Sequence, residues 1–366
     1  ITLLCRFDGQ RVTMASQMSE ADETVSSLYS VKSEQATMLS FDTYNYLVHY
    51  FGQPQGSMSD DPNGTLGGDY EFIISSASAE RIELKGKKYG NRIVMKALTE
   101  DQTWKQYLTK IKKVEDDAFF YEYDLLMDGL YTGQMIRSNY TFIVTYYDEI
   151  GKVHQKTVPF MFTADGLRFH EPVTIDGQTM QNFVWKNELI SFVCTDEGAT
   201  GVKLAGVYTA GYQSYDYYPG TYQMDFYRLN DETGQLEVAS QEVRLLKNED
   251  GKSYWLKGLE YDILVMYDKP RGGLSVSPQL LEKVQGGYVY LAMWDVMNDY
   301  VLRNKSIGLI SYATTNGIYL VDNGVWMGEV SGFIFGVYNS QEEDAAFIGY
   351  TDAVASIRLV KKTIEE

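Results

Sequence analysis

Few side chains in this sequence could carry out catalysis in a recognisable pattern. Only three histidines occur, His49, His154 and His170. No HExxH zinc motif, GxSxG nucleophile elbow or CxxC pair is present. Each histidine reads as a strand-surface or packed residue, so neither a zinc hydrolase nor a serine hydrolase is expected. Oxygen ligands do cluster at Asp60-Asp61-Pro62-Asn63-Gly64 and Asp69, among glycines, as in a calcium loop. Their spacing departs from the EF-hand pattern and no bidentate glutamate follows, so an acidic solvated loop is the expectation, with no metal and no cofactor. A carboxylate pair for glycoside hydrolysis could come from any of the 50 acids, and only a distance in space would identify it.

The most unusual composition lies at Tyr208 to Tyr227, YTAGYQSYDYYPGTYQMDFY. Tyrosine offers a flat apolar face with a hydroxyl handle, which suits a sugar or an extended peptide. Tyr212, Tyr215, Tyr217 and Tyr218 are the candidate contacts, with Trp294 and Trp326 extending the surface. The competing expectation is that these rings pack beneath a loop. Pro219-Gly220 has the chemistry of a type II turn. No residue is assigned a catalytic role.

The elements that must position these residues are strands. Thirty tyrosines and sixteen phenylalanines with only seven prolines favour β structure. Asp8-Gly9 between TLLCRF and RVTMAS is a strong hairpin signal. Leu28 to Val31 with Thr37 to Phe41 gives the next antiparallel pair, and the opening without a leader implies that a segment precedes it. From Ser40 to Leu98 the chain reads as strand, glycine-rich loop and three further short strands, a meander or barrel-like sheet. Arg81, Glu83 and Lys85 alternate with Ile82 and Leu84, so one face is wet and the other packed. A capping box at Thr99 and Gln102 starts a helix at about 100–115, whose stripe of Trp104, Tyr107, Leu108, Ile111 and Val114 should cover that sheet. Longer hairpins follow, at Asp148-Glu149-Ile150-Gly151, Asp176-Gly177 and Asp231 to Gly234. Ser277-Pro278 has the form of a helix start, ended by Gly286-Gly287. The expected class is mainly β: residues 1–118 an antiparallel domain with its helix, and 119–366 a larger antiparallel region, divisible near 205.

The net charge of −18, with no concentrated basic stretch, argues against a nucleic-acid partner. No run approaches the ~18 apolar residues of a membrane-spanning helix. Cys5 and Cys194 each sit in an apolar strand-like run and read as partly buried thiols, with a disulfide between them left open. Leu4 is too large to precede a lipid-bearing cysteine, which excludes Cys5 as an anchor.

At SFDTYN (Ser40 to Asn45), HYF (His49 to Phe51), GGDYEF (Gly67 to Phe72) and IELKGKK (Ile82 to Lys88), the sequence resembles an uncharacterised family of surface lipoproteins of gut-type Gram-negative bacteria. The resemblance extends to the strand at Tyr290 to Trp294, to Asp322-Asn323-Gly324 and to Lys361-Lys362. Such proteins are often encoded beside a TonB-dependent SusC-like transporter and its SusD-like lid. The resemblance implies an outer-membrane, cell-surface location through a lipid anchor absent from this chain. It also implies a SusC-like transporter and a SusD-like lipoprotein as partners. The expected function is therefore non-enzymatic: an accessory lipoprotein that binds an oligosaccharide or peptide, or docks on the transporter. A hydrolase of the same nutrient and a purely structural subunit are the alternatives.

Overall fold

Short alternating runs separated by tight turns fold into antiparallel sheets, and the computed structural model is built from them almost throughout. It describes residues 1–33, 36–52, 67–98, 102–148, 150–342 and 344–362. Thr99 to Asp101 and the acidic Asp60 to Gly64 lie outside the described residues. The chain divides into two compact units, Ile1–Val207 and Tyr208–Glu366.

The first unit opens with seven strands in sequential order. They are β1 (Leu3–Asp8), β2 (Arg11–Ser16), β3 (Val25–Ser33), β4 (Thr37–Phe41), β5 (Glu71–Ala77), β6 (Arg81–Gly86) and β7 (Arg92–Lys96). A one-turn helix, α1 (Tyr46–His49), follows β4. Val12, Met14, Leu39, Phe41, Leu47, Val48, Phe72 and Leu84 form the core of this sheet.

Helix α2 (Trp104–Asp117) comes next, and its cap is Thr103, four residues beyond the expected Thr99, so Gln102 lies ahead of the helix. The Gln106 amide donates to Thr103 Oγ1 at 3.2 Å and Thr103 N–H donates to the Gln106 side chain at 2.9 Å, which completes a reciprocal capping box. Its apolar stripe was expected to cover the preceding sheet, but it joins the core of the strands that follow and meets the sheet only at Leu4 and Ala15. Leu108, Ile111 and Val114 pack in one cluster with Leu4 and Ala15, and the same cluster continues into the following strands. Trp104 is half-buried, with the Arg6 guanidinium 5.9 Å from its ring.

Those strands close on themselves: β8 (Glu122–Met127), β9 (Leu130–Ser138), β10 (Thr141–Tyr147), β11 (Val153–Phe162), β12 (Gly166–Ile175), β13 (Gln178–Lys186), β14 (Ser191–Cys194) and β15 (Val202–Val207). The loop closes because β15 pairs β8, with Val202 opposite Met127. An eight-stranded barrel is just wide enough inside for side chains to fill it. Here aromatic rings do so: Phe142 stacks on Phe160 at 4.4 Å, Tyr123 meets Phe142 edge-on at 5.6 Å, and Phe169 lies 5.0 Å from Phe183. A polar knot ties barrel, helix and sheet together. Tyr140 donates to Glu115 at 3.1 Å, Arg137 pairs with Glu115 at 3.3 Å, and Gln17 donates to the Tyr140 hydroxyl at 3.0 Å. Burial and the nearby Glu115 carboxylate push the Tyr140 hydroxyl up to about 12.

The second unit contains β16 (Gly220–Leu229), β17 (Leu236–Lys247), β18 (Ser253–Lys257), β19 (Ile263–Asp268), β20 (Gly273–Val276) and β21 (Gln279–Val284). It continues with β22 (Gly287–Asp295), β23 (Tyr300–Leu302), β24 (Leu309–Thr314), β25 (Gly317–Asp322), β26 (Gly332–Tyr338) and β27 (Phe347–Lys361). The path β16-β17-β18-β19-β20-β24-β25-β27 returns to its start because β27 also pairs β16. From that ring a branch of β26, β22 and β21 extends, with β23 alongside β22. Strand β27 serves both parts. Ser356, at φ 54°, lies in the bulge where two residues of β27 oppose Phe226, and the strand bends there.

Two local expectations are corrected here. The stretch after Ser277-Pro278 is strand β21 and not a helix. The Gln279 side chain accepts from Leu264 N–H at 2.8 Å and donates to Leu264 C=O at 2.9 Å, and Val284 pairs Gly287 across Gly286 at φ 86°. Ladder pairing with β22 overrides the local capping signal. Gly220 opens β16 at φ 151°, so Pro219-Gly220 leads into a strand where a type II turn was expected.

Candidate ligand-binding surface

The tyrosine-rich segment is stapled down by its own hydroxyls. Tyr215 begins a single 3-10 turn, Tyr215–Tyr217, and stacks on Tyr254 of β18 at 4.7 Å. Its hydroxyl donates to Ser253 C=O at 2.8 Å. Tyr254 returns a bond to the Tyr215 carbonyl at 2.7 Å, Tyr218 donates to Gly272 C=O at 2.8 Å, and Tyr222 donates to Tyr218 C=O at 2.6 Å. Tyr267 of β19 donates to Gln213 C=O at 2.8 Å and lies 3.1 Å from the Tyr212 hydroxyl. Tyr218, Tyr222 and Tyr254 are buried in the unit's core, Tyr212 and Tyr215 are half-buried, and Tyr217 is exposed with Lys361 5.2 Å from its ring. Desolvation raises the hydroxyls of Tyr215, Tyr218, Tyr222, Tyr254 and Tyr267 above the ordinary tyrosine value. Trp294 is 5% exposed and packs on Ile334, Ala353 and Ala355. Trp326 is half-buried, and its indole N–H donates to Asp295 at 3.0 Å. The structure therefore gathers Tyr212, Tyr215 and Tyr218 in one cluster, while Trp326 belongs to a separate loop.

Residues with catalytic chemistry are used elsewhere. His154 lies 2.8 Å from Asp148, whose carboxylate also accepts from the Ile150 and Lys152 amides, so the pair fastens the β10–β11 turn. Among the described residues no group of three or more His, Cys, Asp or Glu side chains is placed to hold a metal. Cys5 and Cys194 are both free thiols, raised by burial to about 12 and about 11. A cleft of about 300 Å³ is lined by Arg228, Leu229, Asp231, Glu260, Thr351 and Asp352. Asp352 is paired with Arg228 at 3.1 Å and Asp231 accepts from Tyr350 at 2.7 Å.

A second aromatic surface lies in the first unit, and four separated stretches of sequence build it. Asn45 caps α1: its side chain accepts from Leu47 N–H at 3.1 Å and donates to Ser27 at 3.1 Å. The one-turn helix then carries His49 under Tyr44, with ring centroids 5.3 Å apart. Tyr70 also stacks on His49, at 5.1 Å with the ring planes 15° apart. Tyr44 is 65% and Tyr70 47% exposed, so both ends of the row reach solvent. Beside Tyr70, the buried Asp69 accepts from the backbone amides of Lys88 at 2.7 Å and Tyr89 at 3.2 Å. This fixes the β6–β7 turn, where Tyr89 is exposed and Lys88 Nζ lies 4.6 Å from its ring.

Two glycines allow the interlock. A Cβ on Gly86 would sit 1.9 Å from Asp69 Oδ2, and one on Gly68 would sit 2.2 Å from Phe51 Cβ. The stretches SFDTYN, HYF, GGDYEF and IELKGKK thus supply Tyr44, His49, Tyr70 and Lys88 to one locality. Density of tyrosine pointed to residues 208–227, whereas this row is spread over a long stretch. Its signal was the recurrence of single aromatic residues inside the most distinctive motifs.

Fold and surface together define an antiparallel β protein of two units with an exposed aromatic row. The chain belongs to a family defined by a domain of unknown function, DUF4302, whose model matches residues 1–187 and so contains the whole row. A second domain of unknown function, DUF4987, matches residues 195–336. The chain matches no curated protein and no solved structure.

Proposed function

We propose that this protein is a non-enzymatic accessory lipoprotein of the cell surface that binds an oligosaccharide on the Tyr44–His49–Tyr70 row, in partnership with a SusC/SusD-like uptake system. The observation that carries the binding part is the row itself: three neighbouring aromatic rings on segments fixed by Asn45 and Asp69, with Tyr44 and Tyr70 both exposed. Exposed aromatic rings stack on the C–H faces of sugar rings, and Lys88 supplies a polar contact nearby. The lipid anchor, the outer-membrane location and the transporter partnership rest on the family resemblance of the same four motifs.

Calorimetric titration of the purified chain with a panel of neutral and acidic oligosaccharides tests the reading. A saturable signal that weakens about tenfold or more in Tyr44→Ala/Tyr70→Ala, with unchanged melting, is the expected result; two lost ring contacts account for that magnitude. Absence of binding to any glycan or peptide, together with failure to copurify with a transporter pair from the native outer membrane, would sink it. The hydrolase alternative draws on the three acids of the Arg228 cleft. Product release abolished by Asp231→Asn or Asp352→Asn would favour it instead.

A further inference from the structure

At one edge of the second unit, a buried carboxylate holds two loops together. Asp295, the last residue of β22, has no exposed surface. Its oxygens accept from Asn298 N–H at 3.1 Å, Asn298 Nδ2 at 2.9 Å, Trp326 Nε1 at 3.0 Å and Glu329 N–H at 3.4 Å. These donors, the Asn298 side chain first, hold the carboxyl below its usual range despite desolvation. Gly328 must be glycine for this to work, since a Cβ there would lie 2.1 Å from Asp295 Oδ2 and 2.7 Å from Trp326 Nε1. Asp299 takes a left-handed conformation at φ 54° in the first loop.

The side chains presented by this clamp are apolar. Met297 comes from one loop, Tyr300 from the start of β23 that follows it, and Val325, Trp326 and Met327 from the other loop, with Tyr300 and Trp326 rings 5.7 Å apart. Met297 is 85% and Met327 96% exposed. Single exposed apolar residues are ordinary, but a contiguous group on rigidly fixed loops marks a contact surface, and methionine adapts to varied partner shapes. The border is acidic. Asp299 and Glu329 are exposed and Asp322 is half-buried, whereas of the cations that follow β23, Arg303 lies on the Tyr290 and Tyr338 rings and Lys305 alone is exposed. Charge complementarity then selects the partner.

We infer that the Asp295-clamped loops form a docking surface for a protein segment that presents apolar side chains flanked by lysine or arginine. An anionic lipid surface would be repelled by the same acids. The inference is independent of the glycan row, which lies in the other unit.

Selection of a phage-displayed library of random peptides of about twelve residues on the immobilised full chain provides the test. The expected result is enrichment of sequences with apolar residues beside Lys or Arg. Their binding should weaken at least tenfold in Met297→Glu/Met327→Glu, weaken with added salt, and persist in Val238→Glu, a control at another exposed apolar position. Failure to enrich such sequences would overturn the inference, as would equal binding of the selected peptides to the double variant. Flotation with phosphatidylcholine or phosphatidylglycerol vesicles that is lost in the double variant would also overturn it, by assigning the loops to lipid.

Discussion

The hydroxyl of Tyr254 donates to the backbone carbonyl of Tyr215 at 2.7 Å while the two rings stack 4.7 Å apart. One side chain of β18 thus fixes both the backbone and the ring of the segment above it. Tyr254→Phe keeps the stack and deletes the bond. Its expected cost is about 1 kcal/mol, the net value of one such hydrogen bond, or a fall of about 2–4 °C in melting temperature for a unit of this size. Calorimetry of the variant checks this; an unchanged transition would mean that the bond contributes nothing.

The same cluster predicts alkaline lability. Burial raises the tyrosine hydroxyls above their ordinary value of 10.0, so the unfolded chain loses protons before the folded one does. The folded state then holds more protons, and stability contributed by these groups is complete below pH 10 and falls as pH rises through the raised values. Urea unfolding of the second unit between pH 8 and about 11.5 should show a falling midpoint only above pH 10. Tyr254→Phe should make that fall shallower.

Thr103 supplies the cap of α2 in both directions. Thr103→Ala removes the acceptor for the Gln106 amide and should destabilise the first unit by about 1 kcal/mol. Thr103→Ser, which keeps the hydroxyl, should restore most of it in thermal denaturation.

Gly86→Ala places a methyl group against Asp69, whose carboxylate holds the Lys88 and Tyr89 amides. The turn must shift, at a cost of about 1–3 kcal/mol for overpacking. Hydrogen exchange should show the Lys88 and Tyr89 amides losing protection while those of β2 keep it. Glycan affinity should fall if the row depends on that turn.

Turn chemistry made the hairpins legible. Asp176 at φ 50° and Gly177 at φ 75° adopt the paired left-handed conformation for which Asp-Gly is suited, and the strands on either side follow from it. The helical stripe of Leu108, Ile111 and Val114 was equally readable, because a 3.6-residue period needs no knowledge of the partner. Closure of the sheets was not. The pairing of β8 with β15 and of β16 with β27 joins residues far apart in sequence, and alternation says which face is buried without naming the neighbour. The aromatic residues posed the same difficulty. The composition at Tyr208 to Tyr227 is visible in the chain, yet whether those rings turn inward depends on Tyr254 and Tyr267, on strands β18 and β19. Tyr44 and Tyr70 both meet His49 only because α1 and the start of β5 come together in space.

Strand β27 completes the second unit's ring, and Arg358 on it reaches Asp225 of β16 across 133 residues. During synthesis β16 emerges long before that partner exists. Until β27 leaves the ribosome, β16 carries a bare strand edge that any passing chain can pair with. Sealing this unit is therefore a late event in the life of the nascent polypeptide, and its success depends on keeping one early strand unoccupied in the meantime.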